Sequence, residues 1–135
     1  MTIYWDDDKY SVQNVEMDNQ HKGLFQLAIQ LESALQEDRE DGQLNLFIIE
    51  LQRYFNTHFG FEEEIMEAEG YERSEEHLEA HERFIHLMER VVGDEDSDNS
   101  TKGIQMLFLI NEWIENHIGE MDRQLATFLI NRPSP

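Results

Sequence analysis

The sequence predicts an all-α protein: an antiparallel up-down-up-down four-helix bundle with an extended N-terminal arm. Three observations carry that reading. Apolar residues recur at intervals of three and four rather than two, the only prolines stand at positions 133 and 135, and the apolar stripes fall into four segments separated by short polar links. A chain of 135 residues matches one domain, and its 39% hydrophobic content can fill one core. We read 1–135 as a single domain, with the arm over 1–17, the bundle over 18–131 and a tail over 132–135.

The arm, MTIYWDDDKYS, follows no helical period, and its Tyr4, Trp5 and Tyr10 are expected to dock on the bundle. Asp18 is the expected N-cap of the first helix. Its stripe is His21, Leu24, Phe25, Ala28, Leu31 and Leu35, and the acidic DREDG of 38–42 is its expected stop. The second helix carries Leu44, Phe47, Ile48, Leu51, Phe55, His58, Glu62 and Met66 on one face and ends at Gly70, a natural C-terminal glycine. The third begins near Ser74 and presents His77, His81, Phe84, Met88 and Val91. Gly93 and the DEDSDNST after it are expected to form an exposed, mobile loop. The fourth runs until Asn131 and Pro133 end it, with Leu107, Ile110, Ile114, His117, Met121, Leu125 and Phe128 on one side.

Composition narrows the function classes. Thirty Asp and Glu against ten Lys and Arg give a formal charge of −20, so nucleic acid and anionic membrane would both be repelled. The absence of cysteine removes disulfides, thiolate metal sites and iron–sulfur clusters. Any metal must be held by nitrogen and oxygen. The N-terminus has no apolar leader, and the longest apolar run is the five residues 106–110. A cytoplasmic protein that does not span a membrane is therefore expected.

Against this background, five of the six histidines and two carboxylates fall on or beside the apolar stripes. Burying such groups is costly unless they are paired or coordinate a metal. A step of four residues turns a helix by only about 40°, so His58 and Glu62 share one face, as do His77 and His81. Imidazole and carboxylate without thiolate suit iron, zinc, copper or manganese. Seven groups, His21, His58, Glu62, His77, His81, His117 and Asp122, exceed one tetrahedral zinc, and two bridged ions use them economically. His117 and Asp122 break the pattern, because five residues rotate Asp122 by about 140° in a regular helix. A π-bulge between them would restore a common face. His86, nine residues beyond His77 and about 180° away, is expected on the surface. By pattern alone, Phe55, Phe59, Trp113 and Ile114 are core packing.

In order, MDNQHKGLF, HFGFEEEIM, HLEAHERF and WIENHIGEMD resemble the hemerythrin family, particularly its single-domain bacterial members. The family pattern is a His, then HxxxE, HxxxH and HxxxxD, and every position is present. Trp5 also matches a tryptophan typical of the family near the N-terminus. The resemblance implies two non-haem iron ions in a four-helix bundle, bridged by an oxo or hydroxo ligand, that bind dioxygen reversibly. It places His77, His81 and His117 on one iron and His21 and His58 on the other, with Glu62 and Asp122 bridging. It further implies an open coordination position on the two-histidine iron, and it assigns Phe59 and Ile114 to the dioxygen pocket.

The function expected from the resemblance is oxygen transport, storage or delivery without turnover, with dioxygen as ligand and an oxygen-requiring enzyme as recipient. The alternatives are a di-iron enzyme (an oxidase, or a reductase of peroxide or nitric oxide) and an oxygen or iron sensor. Ferritin-like oxidase sites use paired ExxH motifs, and this sequence contains none.

Overall fold

A computed structural model describes residues 4–132. Residues 1–3 of the arm and 133–135 of the tail lie outside the described residues. The elements are α1 (Asp7–Tyr10), α2 (Val15–Gln36), α3 (Glu40–Glu69), α4 (Ser74–Val92), α5 (Asn99–Trp113), a π-helical segment (Ile114–Asp122) and α6 (Arg123–Asn131). Among the described residues there is no strand, and no helix is long and apolar enough to cross a membrane.

The arm is not wholly extended. Asp6 caps the single turn α1 by accepting from the amide of Asp8, and this turn carries Tyr10 into the core. Tyr10 and Trp5 meet the ring of Phe25 edge-on at 4.8 and 5.3 Å, whereas Tyr4 stands exposed. The cap of α2 is Asn14, not Asp18: the extended backbone of Asn14 aims its side-chain oxygen at the amide of Met17, 3.0 Å away. Asp18 lies inside the first turn and holds the arm instead, accepting from the Ser11 hydroxyl at 2.6 Å and the Val12 amide at 2.9 Å.

The acidic run at 38–42 is shorter as a break than its charge implies. Asp38 adopts a left-handed φ of 54°, and α3 starts two residues later, so Asp41 sits at the positive end of a helix dipole. Gly70 ends α3 at φ 63°, with the amide of Tyr71 returning to the carbonyl of Met66. The expected loop after Gly93 is also curtailed, because Asp98 accepts from the amide of Thr101 and starts α5 at Asn99.

α2 packs against α3 and α5, α3 against α4 and α5, and α4 against α5, forming a helical bundle. Its apolar core has two parts. The larger joins Leu24, Phe25, Phe55, Phe59, Phe84, Met106, Ile110 and Ile114, among others; the smaller joins Val12, Met17, Met66, Tyr71, Leu125 and Ala126. On α2, His21 lies between Met17 of the smaller part and Leu24 of the larger; on α3, Glu62 lies between Phe59 and Met66; and Asp122 lies between Ile118 and Leu125.

Candidate metal centre

All seven sequence-predicted donors are buried, none more than 3% exposed, and they converge on one layer of the bundle. α2 supplies His21, α3 His58 and Glu62, and α4 His77 and His81. The π-helical segment supplies His117 and Asp122. An i→i+5 ladder over 114–122 brings residues five apart to one face, so the expected bulge is present and His117 Nε2 lies 3.0 Å from Asp122 Oδ1. The same change of period buries Ile118 and leaves Met121 only half-buried. His86 is exposed, as expected.

The two carboxylates divide their oxygens between two sets of histidines. Glu62 Oε1 lies 2.9 Å from His77 Nε2 and 3.1 Å from His81 Nε2, and Asp122 Oδ1 lies 3.1 Å from His77 Nε2. On the other side, Asp122 Oδ2 is 2.8 Å from His21 Nε2, and Glu62 Oε2 is 3.1 Å from His58 Nε2. The donor atoms thus form two groups, Glu62–His77–His81–His117–Asp122 and His21–His58–Glu62–Asp122, each with its atoms within 4.8 Å of one another.

Several of these short distances are not hydrogen bonds. His58 Nε2, His117 Nε2, Glu62 Oε2 and Asp122 Oδ1 are buried without a hydrogen-bond partner among the described residues. Lone pairs that crowd together without pointing at one another are what a shared cation requires, and unpaired atoms this deep would otherwise be heavily penalised. The donor set therefore fits a non-haem metal site built from nitrogen and oxygen.

Electrostatics point the same way. Burial works against charge on His58 and His77, yet Glu62 and Asp122 outweigh it and raise them to about 10 and about 9; His117 is raised for the same reason. Burial works against charge on both Glu62 and Asp122, and the charge of Asp122 adds to it at Glu62, but the histidines hold both well below the usual carboxylate range. The field that draws protons into the metal-free cluster draws a cation equally well.

Around the donors lies a layer that sequence reasoning missed. His58 Nδ1 is 2.6 Å from Gln20 Oε1, and His81 Nδ1 is 3.1 Å from Glu63 Oε2. Each contact turns the opposite nitrogen, Nε2, toward the carboxylates. In the sequence Glu63 is one of three consecutive glutamates and Gln20 directly precedes His21, with nothing local that marks either. Aromatic rings close the site: Phe59 stacks on His81 at 3.9 Å and Trp113 on His117 at 3.7 Å, while Tyr54 lies against His58 at 5.3 Å. Burial, together with the nearby charges of Asp122 and Glu62, raises the Tyr54 phenol well above its ordinary value and keeps it protonated.

Fold and site together define a helical-bundle protein with a buried histidine–carboxylate cation site. The family model for the Hemerythrin HHE cation binding domain matches residues 14–129, and the chain belongs to the hemerythrin family. It is 35% identical to a bacteriohemerythrin of Pseudomonas aeruginosa over 124 residues, covering 89% of this chain and 76% of that protein. A bacteriohemerythrin of Clostridium acetobutylicum is 31% identical over 87% of this chain and 94% of its own length. Hemerythrin subunit 1 of Golfingia vulgaris is 31% identical over 78% of this chain and 75% of its own. No solved structure gives a significant match.

Proposed function

We propose that the chain binds dioxygen reversibly at a di-iron centre and carries, stores or delivers it to an oxygen-requiring enzyme, without chemical turnover. The observation that carries this reading is the asymmetry of the two donor groups. They share Glu62 and Asp122, but one has three histidines and the other two, so an ion on the His21/His58 side is one protein donor short. An iron pair supplies the two electrons that reversible dioxygen binding borrows and returns. In this reading His77, His81 and His117 would hold one iron and His21 and His58 the other, with Glu62 and Asp122 each offering one oxygen to either side.

The rest of the chain keeps the site dry. Phe59 and Ile114 are 3% and 1% exposed, and both belong to the larger apolar cluster that abuts the donors. We assign both to the dioxygen pocket, where they exclude the water that would otherwise reach the open position. The short links between successive helices, and the packing of each long helix on the next, support an antiparallel up-down-up-down order for the bundle.

Anaerobic reconstitution with ferrous iron tests the proposal. The expected result is about two irons per chain and near-ultraviolet charge-transfer bands that appear in air and fade under argon. Irreversible bleaching, or steady dioxygen consumption in the presence of a reductant, would replace the carrier with an enzyme.

A further inference from the structure

Outside the seven donors, the Trp113 indole N–H and the Tyr54 hydroxyl are buried beside the site without a hydrogen-bond partner among the described residues, and of these Tyr54 lies against His58. Tyr54 stands one turn before His58 on α3, and their rings lie nearly parallel, 20° apart with centroids at 5.3 Å. The ring also meets α2: a Cβ added to Gly23, two residues after His21, would come within 3.9 Å of it. The phenol therefore occupies the seam between the two helices that supply His21 and His58.

A phenylalanine would fill this seam equally well without an unmatched buried oxygen, since leaving a donor unpaired inside a protein carries a penalty that an apolar replacement avoids. The oxygen becomes useful only when something on the His21/His58 side can accept from it. That is also the side with two histidines rather than three.

We propose that the Tyr54 hydroxyl donates a hydrogen bond to the small exogenous ligand held at the open position on the His21/His58 side. This rests on the proposed function for the identity of the natural ligand, dioxygen. Azide, a small anion that ferric iron accepts, is the probe. Tyr54 is in this account a ligand-binding residue that sets affinity and residence time, with the protonated phenol as donor and the ligand as acceptor.

The test is Tyr54→Phe, compared with the unaltered protein at equal iron content. Because the removed oxygen has no hydrogen-bond partner among the described residues, the metal-free variant should melt at the same temperature or higher. Azide affinity of the diferric protein, followed by its charge-transfer band, should fall about tenfold or more, the scale of one hydrogen bond to a charged acceptor. Autoxidation of the dioxygen-loaded protein should quicken in parallel. An azide affinity within about twofold of the parent overturns the proposal, whether or not the metal-free melting temperature drops. Azide binds a ferric pair even where dioxygen is not released reversibly. A parent protein that fails to cycle between air and argon would thus sink the proposed function, while the azide comparison still decides the role of Tyr54.

Discussion

Glu62 and Asp122 each turn one oxygen toward His77 and the other toward the His21/His58 side, so both donor groups depend on both carboxylates. Glu62→Gln should therefore lower the metal count on both sides at once. Elemental analysis is the check, and retention of a full complement would contradict a shared role. The histidines make a pH prediction. His58 and His77, raised from 6.5 to about 10 and about 9, stabilise the metal-free fold fully below pH 6.5, and that contribution is lost as pH climbs through 9 and 10. Glu62 and Asp122, lowered from 4.5 and 3.8, contribute above those values and lose their contribution in acid. Melting temperature of the metal-free protein should accordingly fall along the alkaline limb, and loading at pH 7 should release protons measurable in a pH-stat. Ile114→Ala should speed autoxidation if the side chain excludes water; lowered stability at unchanged autoxidation would mean that it only packs. The seven donors were legible because their spacing is a property of each helix alone. Gln20 and Glu63 were not, since each acquires its role from a histidine 38 or 18 residues away.

At the scale of the element, the π-helical segment turns a spacing of five into a shared face. With regular α geometry, Asp122 would point away from His117; the i→i+5 ladder turns it inward. The double substitution Met121→Asp with Asp122→Met, which moves the carboxylate to the regular i+4 spacing, should fail to bind the full complement of metal while this backbone persists. Full metal content in that variant would show a regular helix. The bulge was inferable because HxxxxD is inconsistent with an undistorted helix whose two donors must meet. Helix starts were less legible. Asp18 is as good a cap by residue type as Asn14, and only the extended backbone at Asn14 selects between them. Asn14→Ala should cost about 1 kcal/mol in denaturant unfolding, with metal affinity little changed. Likewise, the acidic residues at 38–42 resemble a linker, but some of them favour the positive end of α3.

For the molecule as a whole, a charge of −20 on 135 residues sets a field that opposes compaction and attracts cations. Salt should raise the melting temperature of the metal-free protein, most steeply up to roughly 0.15 M, where the Debye length is about 8 Å. A temperature independent of salt would mean that the repulsion is already neutralised locally. Placing a polar layer between two apolar clusters lets the bundle bury seven ionisable groups without solvent contact. Helix period, donor types and donor spacing could be read from the chain because each reflects the order of residues along one helix face. The partition of carboxylate oxygens between the two histidine groups, the brace of Gln20 on His58 and the sealed hydroxyl of Tyr54 could not. They exist only where separate helices meet, and the rotation and depth of each helix against its neighbours are set by packing across the whole core.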